Sequence, residues 1–296
     1  MSETNIQSLS KNKGNDNNYD NIIEEKVAKD NKNIEIKRYK MERLLFIKDF
    51  NRKIYEFICL NINQKFVVKV IPKKGLNHRK KAKILDIIQT LDHPNIIKYN
   101  HFFEDDNNIY IFLDLINNIT TLNDFLKKEK TLREQEVKYF ILQLLKGLKY
   151  LHDNKIIHRH LKLDNIYLTN NKELKIGEFD LAVKLEIDGE KIKSIIGTPL
   201  YMAPELLKEK EYSYEIDIWS LGIIIYTLLV GKTPFETQHF QELLEKVKRM
   251  DYTFPEKINI SNEAKDLISK ILVDDPSKRL TLDQILAHKF LKNDQF

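Results

Sequence analysis

A hairpin of two short apolar strands, with polar and charged clusters at both ends, constrains this chain more than any other stretch. It runs from His158 to Ala182, H-R-H-L-K-L-D-N-I-Y-L-T-N-N-K-E-L-K-I-G-E-F-D-L-A. The apolar triplets Ile166-Tyr167-Leu168 and Leu174-Lys175-Ile176 predict the strands, and the polar run Thr169 to Glu173 predicts the turn. His158, Arg159, His160, Lys162 and Asn165 precede the first strand, and Glu178 and Asp180 follow the second. Such a hairpin aims both clusters at one small volume, which suits a phosphate-and-metal site. Pattern alone leaves a second reading open, a surface hairpin with solvated charges.

The rest of the chain supplies the frame. Its 296 residues suffice for one two-lobed domain or two small ones, and a hydrophobic content of 42% fills a core. The single cysteine, Cys59, lies in an apolar run and reads as a buried small hydrophobe, so a disulfide framework is excluded and a reducing compartment fits. The longest apolar run, Leu221 to Val230, is too short for a bilayer span. The first twenty residues carry no signal-peptide core, and Ser2 excludes the myristoylation pattern. The expectation is an intracellular protein, cytoplasmic or nuclear, with no membrane partner. The net charge of +5 is modest, and the basic run Arg79 to Lys83 reads as a solvated helix face, so no nucleic-acid partner is expected.

Residues 1–37 are poor in apolar residues and read as a disordered Asn/Lys-rich tail, with a short helix near Ile22 to Lys29. Strands are predicted at Arg43–Phe46, Ile54–Leu60, Phe66–Ile71, Ile96–Phe103 and Ile109–Leu115, and a helix at Arg79–Leu91. From Thr121 the pattern turns helical. Thr131-Leu132-Arg133-Glu134 reads as a capping box opening a helix to His152, and Thr281-Leu282-Asp283-Gln284 as another. Further helices fall at Asp217–Val230, 237–249 and 261–273. The resulting expectation is α+β: a five-stranded sheet with one helix over residues 38–115, a mainly helical lobe over 116–292, and a short end at 293–296.

The hairpin and its flanks resemble the catalytic and metal-binding loops of protein kinases, H-R-D-L-x-x-x-N and D-F-G. Further on, Gly197-Thr198-Pro199-Leu200-Tyr201-Met202-Ala203-Pro204-Glu205 resembles the end of a kinase activation segment, and Ser213 to Gly222, including Asp217, the start of its central helix. Arg279 stands where the family places the partner of Glu205. Thr198 before Pro199 points to the serine/threonine class. Tyr226 to Thr237, His158 to Leu168 and Tyr55-Glu56-Phe57 are close to the polo-like kinases. That group also carries C-terminal polo boxes, which the resemblance leads one to expect absent from a chain ending at Phe296.

The resemblance implies ATP and Mg²⁺ as cofactors, and several departures weigh against both. Phe46 to Lys53 stands where the phosphate-covering loop belongs and contains no glycine, although only glycine lets backbone approach phosphate closely. Lys69 matches the lysine that pairs with the α- and β-phosphates, while Ile84 occupies the place of its glutamate partner, with Asp86 the nearest carboxylate. Leu113, Asp114, Ile116 and Tyr167 are the remaining nucleotide contacts the resemblance implies. His160 replaces the catalytic aspartate, and loss of a positioned base costs about 10²–10⁴ in rate. Lys162 and Asn165 remain, for γ-phosphate and second-metal contact. Glu178 and Asp180 replace the Asp and Gly of the metal loop. Mg²⁺ demands near-ideal octahedral geometry, so a carboxylate one methylene longer is a poor ligand. His158, Arg159 and Phe179 keep structural roles, and Ser194 and Thr198 are the regulatory positions.

These departures together point to a kinase fold without kinase chemistry: a pseudokinase that binds protein partners, such as another kinase or a cytoskeletal or cell-cycle assembly. Two alternatives stand beside it, an active Ser/Thr kinase and a nucleotide binder without transfer.

Overall fold

The computed structural model describes residues 22–28, 34–48, 52–76, 78–114 and 119–292. They fall into two compact units: one reaches Leu91 and resumes at Ile97, and the other comprises Asp92–Ile96 and the chain from Asn118 onward.

The first unit is a six-stranded antiparallel sheet with strand order β1-β2-β3-β4-β6-β5. Its strands are β1 (Ile22–Ala28), β2 (Ile34–Lys48), β3 (Arg52–Cys59), β4 (Gln64–Pro72), β5 (Tyr99–Glu104) and β6 (Asn108–Leu113), and its helix is α1 (His78–Ile88). Tyr39, Phe57, Cys59, Val68, Phe103, Tyr110 and Phe112 form a buried cluster in this unit. Aromatic rings dominate it, with Tyr39 and Phe112 4.8 Å apart between centroids. Cys59 is buried and free, as its apolar context implies.

Two expectations fail here. The helix expected near Ile22 to Lys29 is replaced over residues 22–28 by a strand, and the sheet has six strands among the described residues rather than five. Residues 22–28 and 34–37, read as tail, pair as β1 and the start of β2, with Ile22 opposite Lys40 and Ala28 opposite Ile34. The reason is Glu25. Its carboxylate turns inward and accepts a 2.8 Å hydrogen bond from the Tyr39 hydroxyl, with the His101 imidazole 3.5 Å away. Burial pushes the Glu25 pKa up, but His101 and the Tyr39 hydroxyl outweigh it and hold the carboxyl below its ordinary range. Burial and that same carboxylate push the Tyr39 pKa well up. A charged residue on the inward face breaks the alternation by which a strand is recognised.

The second unit contains the predicted hairpin. Strands β7 (Thr120–Thr121), β9 (Ile166–Leu168) and β10 (Leu174–Ile176) form a small sheet in the order β10-β9-β7, and β8 (Ile156–Ile157) pairs with β11 (Val183–Lys184). Around them lie α2 (Leu122–Glu129), α3 (Glu134–Asp153), α4 (Pro204–Leu207), α5 (Glu215–Val230), α6 (Phe240–Arg249), α7 (Asn262–Ile271), α8 (Leu282–Leu286) and α9 (Lys289–Lys292). All of α5 after Glu215 is buried, as its unbroken apolar run requires.

The capping box at Thr281 forms, with Thr281 and Gln284 exchanging hydrogen bonds. The one read at Thr131 does not. Helix α3 starts two residues later, and the Glu136 carboxylate accepts from the Arg133 N–H. Glu134 is drawn away to the Ser261 N–H at 2.6 Å, so a tertiary contact overrides the local motif. Asp92–Ile96 joins this unit through Asn95, which donates to the Leu174 carbonyl and accepts from Ile176 N–H. At Gly147 in α3 a Cβ would lie 2.8 Å from Ile176 Cδ1 and 3.2 Å from the Asn95 carbonyl, so the close approach of helix and hairpin excludes a side chain.

Candidate active site

The hairpin is fixed from below by Asp217, near the start of α5. Its carboxylate accepts from the backbone N–H groups of His158 and Arg159, each at 2.9 Å, and pairs with His152 Nε2 at 3.0 Å. Burial works to raise its pKa; the His152 and His158 interactions prevail and hold it below the usual carboxylate range. Two amides received by one carboxylate force a sharp backbone turn, and Arg159 accordingly adopts φ +63°.

His158 is wholly buried. Its Nδ1 accepts from the His160 N–H at 3.2 Å, and its Nε2 meets the Gly177 carbonyl at 2.8 Å. That pair of partners selects the neutral tautomer with the proton on Nε2. Burial lowers the pKa of His158 in spite of Asp217 nearby, which agrees with a neutral ring. Phe179 packs edge-on against it at 5.1 Å. Thus His158 ties the first flank of the hairpin to the second and takes no outward-facing role.

Arg159 reaches further along the chain. Its Nε donates to the Leu181 carbonyl, and its Nη1 to Ser194 Oγ at 3.1 Å and to the Tyr212 hydroxyl at 3.2 Å. Ser194 and Tyr212 are themselves 2.6 Å apart. The predicted regulatory serine therefore sits in a hydrogen-bonded triad with Arg159. Neither Tyr212 nor His152 was picked out from the sequence. His152 ends a helix and Tyr212 stands in a charged loop, and nothing in either local pattern gives its partner.

At the position expected to hold the base, His160 Nε2 lies 3.1 Å from Thr198 Oγ1. Asn165 Nδ2 donates to the His160 carbonyl at 2.8 Å, leaving the Asn165 amide oxygen turned elsewhere. Lys162, Asn165 and Asp180 are buried. Glu178 adopts the left-handed conformation, φ +64° and ψ +61°. Its Oε1 accepts a 2.9 Å hydrogen bond from the Tyr167 hydroxyl. Among the described residues no three His, Cys, Asp or Glu side chains gather as a metal cage.

Glu205 and Arg279 form the predicted pair. Two guanidinium nitrogens meet the two carboxylate oxygens at 2.7 and 2.6 Å, buried. Arg279 also donates to the carbonyls of Val273 and Glu215 and lies 5.0 Å over the Trp219 ring.

The sheet unit holds the other named positions. Lys69 stands in β4, buried, between Ile54 of β3 and Ile111 of β6. In α1 Ile84 is buried and Asp86 is exposed, so the helix turns its carboxylate away from the face that Ile84 occupies. Leu113 pairs with Val67, and the exposed Asp114 is fixed through its N–H to the Lys98 carbonyl. Ile116 lies outside the described residues, as do residues 49–51 of the stretch predicted to stand at the phosphate-covering loop.

Comparison with known proteins places the chain in a family. The protein kinase domain model matches residues 52–291. Curated relatives are polo-like or similar Ser/Thr kinases. The chain is 47% identical over 277 residues to the probable serine/threonine-protein kinase CCRP1 of Zea mays, covering 92% of this chain and 44% of that protein. It is 41% identical over 260 residues to the serine/threonine-protein kinase polo of Drosophila melanogaster, covering 86% of this chain and 44% of that protein. Against the cell cycle serine/threonine-protein kinase CDC5/MSD2 of Saccharomyces cerevisiae the identity is 41% over 233 residues, 77% of this chain and 33% of that protein. The chain thus spans less than half the length of these relatives. With the domain model matched over residues 52–291 and relatives more than 40% identical across most of its length, the chain belongs to the protein kinase family.

Proposed function

We propose that this kinase domain, similar to polo-like Ser/Thr kinases, is a pseudokinase that acts by binding protein partners rather than by phosphoryl transfer. The observation that carries the reading is His160. Transfer needs a negative, proton-accepting group aimed at the incoming hydroxyl. Here that position holds an imidazole whose Nε2 is hydrogen-bonded to Thr198 of the chain itself. Loss of a positioned base alone removes about 10²–10⁴ in rate.

The metal side supports the same reading. The donor set is a poor fit for a resident Mg²⁺: the Glu178 carboxylate already accepts a hydrogen bond from Tyr167 at one of its oxygens, its chain is one methylene longer than an aspartate's, and Mg²⁺ tolerates little displacement of its ligands. What the residues do perform is structural. Asp217 and His158 fix the loop, Arg159 fixes the segment bearing Ser194, and Arg279 fixes Glu205, so the helical unit presents a rigid surface to a partner. A partner kinase or a cell-cycle or cytoskeletal assembly is the partner class in keeping with this reading.

The test is γ-phosphate transfer from labelled ATP, with Mg²⁺ or Mn²⁺, to the protein itself and to a generic protein acceptor. The expected result is no transfer above that of the Lys69→Ala variant. Transfer that Lys69→Ala abolishes would overturn the reading in favour of an active Ser/Thr kinase.

A further inference from the structure

We infer that Tyr167 is a positioning residue that occupies the metal-loop carboxylate, so that Glu178 serves a phenol hydroxyl in the place of a divalent cation. The inference rests on the reading that this site is catalytically silent, and it names the residue that keeps it so.

Three observations carry it. The first is the bond itself, 2.9 Å from the Tyr167 hydroxyl to Glu178 Oε1, with Tyr167 1% and Glu178 6% exposed. A buried phenol needs an acceptor and a buried carboxylate needs a donor, so each residue satisfies the other. A cation that took this oxygen would have to compete with that hydrogen bond.

The second is that the tyrosine is anchored on both sides. Tyr167 is the central residue of β9, paired with Lys175 of β10 and with Thr121 of β7. Its backbone has no freedom to carry the ring away.

The third is that the acid is equally fixed. Glu178 sits between Gly177, whose carbonyl meets His158, and Phe179, which packs on the same imidazole. Its left-handed φ of +64° is uncommon for a residue with a side chain, and persists where the surroundings enforce it. The carboxylate is therefore delivered to the tyrosine by a loop with few ways to move. The extra methylene that makes glutamate a poor substitute for aspartate at a metal is the length by which it reaches the phenol.

The test uses the full chain and Mn²⁺ alone as probe, with free Mn²⁺ read by electron paramagnetic resonance during titration. Wild type and Glu178→Gln should bind Mn²⁺ equally weakly. Tyr167→Phe removes one oxygen atom and should tighten Mn²⁺ binding about ten- to a hundredfold, the factor set by one hydrogen bond to a charged group. The gain should vanish in the Tyr167→Phe/Glu178→Gln double variant. Thermal melts establish that each variant folds. Should Tyr167→Phe fail to fold, Glu178→Asp supplies the same comparison, since the shorter acid retracts from the phenol and should also gain Mn²⁺.

No gain in Tyr167→Phe, or a wild type that already binds Mn²⁺ through Glu178 as tightly as the variant, would overturn the inference. Phosphate transfer by the wild type would overturn the functional reading instead, and the two failures are read from different signals.

Discussion

Around Asp217 and Arg279 the buried charges of the helical unit meet amides, an imidazole and an opposite charge. In the hairpin and its flanks, His160 Nε2 is hydrogen-bonded to the Thr198 hydroxyl, and Glu178 accepts from the Tyr167 hydroxyl. Both regions are buried and both are bonded, yet they differ in what they are bonded to. An anchor works by satisfying its charges inside the protein. A transfer site works by aiming its charges at groups that arrive from outside, and so must leave them partly unsatisfied until then. In this chain the residues at the chemical end are turned inward like those at the anchoring end. On the proposed reading, the site has taken on the character of the anchor.

The comparison is sharpest at Arg279. Arg279→Ala strands a buried carboxylate, and should destabilise the domain by about 3–5 kcal/mol in urea unfolding. Arg279→Lys should recover only part of that, because an ammonium cannot make the two-pronged contact. If Arg279→Ala costs no more than Thr198→Ala, the contrast between the two regions is wrong.

Asp217→Asn comes next. It places an amide donor where two backbone donors converge, and should cost about 2–3 kcal/mol. The effect should shrink when His152 is already replaced by alanine, which a double-mutant cycle measures.

The pH dependence of stability discriminates more finely. His158 has a folded pKa below its unfolded value of about 6.5, so the unfolded chain binds the extra proton first. Its contribution is complete above about pH 6.5 and is lost as pH falls toward the folded pKa. Asp217, also lowered, contributes above its unfolded pKa of about 3.9 and loses that contribution only in stronger acid. Melting temperature should therefore decline in two stages on acidification, and His158→Phe should flatten the first.

The smallest effect belongs to Ser194→Ala. Removing the hydroxyl shared by Arg159 and Tyr212 should cost about 0.5–1.5 kcal/mol. It should also speed proteolytic cleavage near Ile195, which is 59% exposed. An unchanged cleavage rate would mean that the triad does not hold the segment.

The hairpin was legible to the residue, because two apolar triplets around a polar turn are a local signal, and both triplets pair as read. The Glu205–Arg279 pair, 74 residues apart in sequence, was legible only through family resemblance. The partners of Asp217 and Ser194 were not legible at all, since long-range hydrogen bonds leave no periodic trace. At Glu178 the sequence showed only a carboxylate too long to be a good metal ligand. Only the geometry gave it a tyrosine eleven residues back. The miss at β1 has the opposite cause: a real strand was hidden because its inward residue, Glu25, is charged.

That strand has a consequence for how the protein is handled. β1 covers one edge of the sheet by pairing with residues 34–40 of β2. Shortening the chain to begin at Arg38 would remove β1 and leave residues 38–40 of β2 as an open edge, continuous with residues 41–48, which β1 does not pair. Leu44 and Ile47 on that strand are already 44% and 66% exposed. An uncovered apolar edge is a template for strand addition from another molecule, so the shortened protein should self-associate in a concentration-dependent way that the full chain does not.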